Sequence, residues 1–135
     1  MNLKTKLMLM KRVLLDTNFL LLPVQFKLDI FSLIPEVLED KVEFFVVSNV
    51  IEELKQLAKS KGKDGRASNV TLSLLKTRKV EVIKTGGKSC DDALTKVAKD
   101  KGMIVATNDK ELRKRLKSMG VKTIYLRSKK YLEVD

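Results

Sequence analysis

The chain has 135 residues, 44% hydrophobic and 33% charged. This suits one globular domain that buries roughly two-thirds of its unfolded surface, and no apolar run approaches the roughly 20 residues of a membrane helix. One cysteine, Cys90, and no histidine exclude an internal disulfide, thiolate zinc sites, Ser-His-Asp triads and histidine bases, while a net charge of +11 points to a polyanionic partner, nucleic acid first, with a solvated lysine-rich surface as the plainer alternative.

Residues 1–11 read as a loose amino-terminal segment. Their apolar patch, 7–10, is too short for a secretory leader, so the chain is expected to be cytoplasmic, with Met8 or Met10 as alternative starts. The folded domain is expected over 12–127. Short apolar runs predict strands at 12–15, 44–47, 80–83, 103–106 and 123–126, and 3.6-residue periods predict helices at 28–38, 49–59, 67–77, 91–100 and 110–119. This alternation predicts an α/β fold, a three-layer α/β/α sandwich around a mainly parallel five-stranded sheet. Ser48 is expected as an N-cap, and Gly102 and Gly120 as left-handed helix ends. The stretch "SKGKDGRAS", 60–68, reads as a basic loop between two helices, and the tail 128–135 as either an edge strand or a loose end.

In an open parallel sheet, ligands bind beyond the carboxyl ends of the strands. There "VLLDTN" places Asp16 and Asn18, and "IVATND" places Thr107, Asn108 and Asp109. Each aspartate alone is equally a helix cap or turn former; the matching pair says more, provided the first and fourth strands are neighbours. In "SNVIEELKQLA" the apolar face is Val50, Ile51, Leu54, Leu57 and Ala58. Glu53 borders that face and Glu52 lies nearly opposite, so Glu53 is the candidate, a solvated glutamate being the alternative. In "SCDDALTKVAKD" the buried stripe Ala93, Leu94, Val97 and Ala98 has Asp91 on its flank and Asp92 on the far side. Asp91 is preferred, Asp92 stays open, and either suits a helix's first turn. Carboxylates gathered without a base repel one another, and a divalent cation removes the difficulty; hard oxygen donors suit Mg²⁺ or Mn²⁺, which can activate water against a phosphodiester.

The pieces "LLDTNFLL", "VIEELKQL", "DDALTKVAKDKG" and "IVATNDKELRKRLKSMGVKTIYL", in that order, resemble the PIN domain, a family of metal-dependent ribonucleases on a small sandwiched parallel sheet, over residues 12–127. The last piece resembles the archaeal and eukaryotic branch that includes small-subunit ribosomal RNA processing nucleases. The resemblance implies Asp16, Glu53, Asp91 and Asp109 as catalytic acids and metal ligands, Asp92 being the alternative to Asp91, with Asn18, Thr107 and Asn108 in support. It implies an endoribonuclease in rRNA processing with a ribosome-assembly partner; the alternatives are a toxin-type ribonuclease with an antitoxin partner and a non-catalytic RNA-binding scaffold. Relatives are often homodimers.

From 110 to 130 there are nine Lys and Arg against one acid, Glu111. Lys110, Arg113, Lys114, Arg115 and Lys117 are expected to track an RNA backbone, with Lys61, Lys63 and Arg66 of the basic loop beside them, a solvated helix face being the plainer alternative. With two tyrosines and no tryptophan, phosphate contact is expected to outweigh base stacking. No glycine-rich phosphate loop is present, which argues against a nucleotide-binding fold.

Overall fold

Val13, Leu14 and Leu15 are completely shielded from solvent because their strand, β1 (Lys11–Leu15), lies in the middle of the sheet. In the computed structural model, which describes residues 10–87 and 89–135, β1 pairs in parallel with β2 (Val42–Val47) on one side and β4 (Ile104–Ala106) on the other. The amino-terminal segment expected to be loose lies outside the described residues as far as residue 9. The short β3 (Glu81–Ile83) extends the sheet beyond β2, and β5 (Thr123–Arg127) extends it beyond β4, both parallel. A sixth strand, β6 (Tyr131–Val134), runs antiparallel to β5 and forms that edge.

The order is therefore β3-β2-β1-β4-β5-β6, one strand more than the five expected. The tail that reads equally as strand or loose end is a strand. Its signal in the sequence is weak because Leu132 alone of its four residues is buried. The chain lays down β1, β2 and β3 in one direction and then returns to lay β4 and β5 on the opposite flank, so the order reverses between β1 and β4. Connections leaving in opposite directions open a crevice at that reversal, beyond the carboxyl ends of the two central strands.

Helices pack on this sheet. Two short ones, α1 (Thr17–Leu20) and α2 (Leu22–Phe26), follow β1 directly and bury Phe19, Leu20 and Leu22. They are followed by α3 (Ile30–Leu38), then α4 (Ser48–Ala58) and α5 (Lys63–Thr77), which pack against each other after β2. Finally α6 (Cys90–Lys101) leads into β4 and α7 (Lys110–Ser118) into β5. Gly102 and Gly120 adopt positive φ, 65° and 75°, as expected of residues that end helices in the left-handed region. No helix among the described residues is long and apolar enough to cross a membrane.

Two sequence expectations are corrected. The basic stretch 60–68 is mostly helix: α5 already begins at Lys63. Gly65 is buried within it, and a Cβ there would lie 1.9 Å from the carbonyl oxygen of Ser60. The glycine serves close approach between the α4–α5 turn and the helix, not flexibility. Ser48 does not cap α4, whose N-cap is Val47. Its hydroxyl instead donates to the carbonyl of Thr85 at 2.9 Å and accepts from the Thr85 N–H at 2.9 Å, clamping the β3–α6 loop to the start of α4.

Candidate active site

The pairing of Leu15 with Ala106 puts the exits of β1 and β4 side by side. Asp16 leaves β1 at 6% exposure, with both carboxylate oxygens engaged: Oδ2 accepts from the Thr107 hydroxyl at 2.7 Å and Oδ1 from the Thr17 N–H at 2.8 Å. Burial pushes its carboxyl up to about 6, against the pull of those two hydrogen bonds, and the charges of Asp91 and Glu53 add to the rise. Asp109 opens α7, its Oδ1 accepting from the N–H groups of Glu111 and Leu112 at 2.9 and 3.2 Å. The Asp109 N–H donates to the Thr107 hydroxyl at 3.1 Å, so one threonine fixes both strand-end acids. The cap role considered for these aspartates is real in both cases, and it orients the same side chains toward the crevice between β1 and β4.

Asn108 secures the frame. Its Oδ1 accepts from the Leu126 N–H at 2.8 Å, and its own N–H donates to Asn18 Oδ1 at 3.3 Å, tying the exit of β4 to β5 and α1.

Asp91, in the first turn of α6, is also raised, chiefly by burial and then by the charges of Asp109 and Glu53, while Arg115 lowers it and Asp92 raises it. With Asp16 it shares a mutual repulsion, so Asp91 senses each of the other three candidate acids. Asp92 is placed differently: its Oδ1 stands 2.9 Å from the guanidinium of Arg115. Glu53 is exposed on α4 and opens onto a cleft of about 350 Å³ lined by Asn49, Glu52, Gln56 and Cys90. Glu52, expected to face solvent, is exposed and lines the same cleft.

The acids are neighbours rather than a closed cage. Among the described residues, no three Cys, Asp or Glu side chains stand close enough, as placed, to hold one ion between them. The donor chemistry nevertheless fits a hard divalent cation: carboxylate oxygens, with Asp16 and Asp91 raised chiefly by burial and further by neighbouring acids, while Arg115 lowers Asp91.

Three contributors escaped the sequence reading. Cys90 lines the cleft with Glu53, and burial, then the charge of Glu53, holds its thiol well above the ordinary range. The only hint was its place beside the paired aspartates. Thr17 supplies the N–H that fixes Asp16, which the "DTN" triplet could have suggested. Thr85, which locks to Ser48 and also hydrogen-bonds Asn49, lies in a loop with no recognisable pattern.

The basic residues divide into two groups. Lys110, Lys114, Lys61, Lys63 and Arg66 are exposed. Arg113 is not free: its guanidinium lies 3.5 Å above the centre of the Tyr125 ring and 3.6 Å from Asp135, and Lys117 reaches the same Asp135 at 3.1 Å. The continuous positive face expected along α7 is thus broken by contacts with β5 and the chain's last residue.

The reversed sheet with acids at its crevice defines a small α/β domain of a recognisable kind. Residues 13–129 match the family described as PIN like domain, and the chain belongs to it. Among curated proteins it is similar to Ribonuclease VapC4 of Methanocaldococcus jannaschii, 35% identical over 129 residues that cover 93% of this chain and 97% of that protein. Ribonuclease VapC9 of Archaeoglobus fulgidus is 32% identical over 121 residues, covering 89% and 86%. Among solved structures, the PIN domain endonuclease Utp24 superposes with a TM-score of 0.76 at 26% identity, covering 92% of this chain and 90% of that one. VapBC2 from Rickettsia felis shares the fold at a TM-score of 0.62 and 15% identity, over 84% of this chain and 98% of that one.

Proposed function

We propose that the chain is a divalent-metal-dependent endoribonuclease that hydrolyses RNA phosphodiester bonds in the cytoplasm, with Asp16, Glu53, Asp91 and Asp109 as its metal-holding acids. One observation carries this reading. Acids from separate segments act on Asp16 and Asp91 at the sheet reversal, Asp91 and Glu53 on the first and Asp109 and Glu53 on the second, adding to the larger effect of burial. Isolated caps or solvated acids would not do so. The names of the two relatives, both ribonucleases, and the likeness to an endonuclease support the choice of chemistry.

A bound Mg²⁺ or Mn²⁺ supplies charge to neutralise the acids and an activated water for attack at phosphorus. The protein's part is positioning. Thr107 and Thr17 fix the two oxygens of Asp16, and Thr107 and the α7 N-terminus fix Asp109. Asp92 is assigned to Arg115 rather than to the ion, given their 2.9 Å contact. A magnesium ion held by these acids would take water in its remaining positions, as magnesium commonly does.

RNA is held by phosphate contacts from Lys110 and Lys114, beside Asp109, and from Lys61, Lys63 and Arg66. Cations in the first turn of a helix, such as Lys63 and Arg66, oppose its dipole and have no structural rationale there, whereas a phosphate would offset them. Arg113 is left out of the contact set because its charge and its flat face are already used.

Processing of ribosomal RNA, with a ribosome-assembly partner, is the finer reading that the "TNDKELRKRL" motif and the likeness to Utp24 favour. A toxin-type ribonuclease held by an antitoxin is the second reading, favoured by the near full-length similarity to VapC4. End-labelled pre-rRNA and total cellular RNA incubated with Mn²⁺ test both. Cleavage lost in Asp16→Asn is expected, at few sites in pre-rRNA for the first reading and accompanied by growth arrest on expression for the second. Equal cleavage by wild type and Asp16→Asn would identify a contaminant and remove the nuclease proposal.

A further inference from the structure

The far edge of the sheet is left open. β3 pairs with β2 alone, so the backbone groups along its other side have no strand partner among the described residues. Edge strands are normally shielded by charge, a bulge or a covering element, because a bare edge is a template for another chain. Here the central residue of the edge is an exposed valine, Val82, at 51% exposure.

Behind Val82 lies a groove of about 480 Å³ between β3, α4 and α5. Its floor is apolar, formed by Ile51, Leu72, Leu75, Val80 and Val82. Val80 and Val82 share one face of the strand, and Glu81 between them takes the other. The rim is basic: Lys55, Lys76 and Lys84 line it, all three exposed and none in an ion pair among the described residues, against a single acid, Glu52. A lysine rim above an apolar floor beside an unpaired strand is complementary to one kind of occupant.

We propose that this groove docks an extended acidic segment of a partner protein, which adds a strand to β3. Alternation along a strand would send the segment's apolar side chains into the floor at every second residue, while its backbone pairs with β3 and its carboxylates meet Lys55, Lys76 and Lys84. Charge complementarity favours an acidic partner over a second copy of this chain, which carries +11. The groove also includes Ser48, whose hydroxyl anchors Thr85, and the chain runs from there to Asp91. An occupant would therefore rest on the loop that sets the position of a site acid. The inference does not depend on the nuclease reading, since its test measures binding.

The test uses the full chain labelled with ¹⁵N and three probes: the capped peptide Glu-Val-Asp-Val-Glu-Ile-Asp, its analogue with lysine at every acidic position, and a uridine decamer. The acidic peptide is expected to shift the amides of residues 72–76 and 81–84 saturably, and the lysine analogue is expected to leave them in place. Val82→Glu, at an exposed position the fold tolerates, should weaken the acidic peptide by about tenfold. Lys76→Glu and Lys84→Glu should each weaken it while preserving the spectrum elsewhere. Absence of saturable shifts at these amides at millimolar peptide, or equal affinity in Val82→Glu, overturns the proposal. So does a decamer that shifts the same amides more tightly and ignores Val82→Glu, which would make the rim a nucleic-acid contact.

Discussion

Asp16 carries two duties that pull in opposite directions. As a cap it accepts two hydrogen bonds, which favour the ionised form, and as a buried acid near Asp91 and Glu53 it is driven toward the neutral one. Burial wins, because the carboxyl titrates near 6 rather than near 3.8. Below the lower value the side chain is protonated folded or unfolded, and the stability tied to the neutral form is fully present. That stability is lost as pH rises through about 6, where the unfolded chain releases its proton more readily, and the loss amounts to about 3 kcal/mol. Asp16→Asn should therefore stabilise the metal-free protein in urea at pH 8 by about 2 kcal/mol, allowing for weakened hydrogen bonds, with no gain at pH 4. Cleavage should fall by about a hundredfold or more in the same variant. A variant less stable than wild type at pH 8 would show that the hydrogen bonds, not burial, dominate the site. The paired aspartates separate by the same logic. Asp91→Asn should cost about a hundredfold in cleavage, and Asp92→Asn, which loses a half-exposed ion pair to Arg115, less than about tenfold. Mn²⁺ titrations of the two variants would reverse the assignment if Asp92→Asn were the one that stopped binding metal.

At the scale of elements, periodicity carries information only where an element is long enough to repeat. The helices α4, α6 and α7 run for three turns or so, their apolar stripes are visible in the residue order, and they form within a residue or two of the expected bounds. The one-turn helices α1 and α2 lie in "TNFLLLPVQF", where a nearly unbroken apolar run hides any period. The acids at the ends of β1 and β4 were legible because an apolar strand stops on a charge at both places. The approach of Cys90 to the Glu53 cleft and the clamp through Thr85 were not, since each joins residues more than thirty apart through a fold that no local window contains. Gly65 shows the same limit. Beside Gly62 and three cations it reads as a loop residue, yet it is a contact point with the Ser60 carbonyl. Alanine normally stabilises a helix interior over glycine by about 1 kcal/mol. Here a Cβ would sit 1.9 Å from a backbone oxygen, so Gly65→Ala should instead destabilise by about 2 to 4 kcal/mol as the α4–α5 turn is forced apart. Urea unfolding of that variant decides between the two signs, and a gain in midpoint would refute the close packing.

For the whole molecule the decisive quantity is where the net charge of +11 remains available. Some of the 28 Lys and Arg side chains are already committed inside the fold: Arg113 and Lys117 to Asp135, Arg115 to Asp92, Arg127 to Glu133. Among the described residues, Lys110 and Lys114 beside Asp109, and Lys63 and Arg66 on α5, are exposed and in no ion pair. Each cation that neutralises an RNA phosphate releases condensed counterions, so it contributes about 0.7 to the slope of log affinity against log salt for a single strand. Lys110→Ala and Lys114→Ala should each reduce that slope by about this amount while leaving the unfolding free energy within about 0.5 kcal/mol of wild type. Arg113→Ala should behave in the opposite way. Its guanidinium is stacked on Tyr125 and paired with Asp135, so the variant should lose about 1 to 2 kcal/mol of stability with little change in slope. Filter binding of a single-stranded RNA across a series of salt concentrations, on Asp16→Asn to prevent cleavage, measures all three. Equal slopes for all four proteins would mean that the basic surface of α7 is solvated and that RNA is held elsewhere.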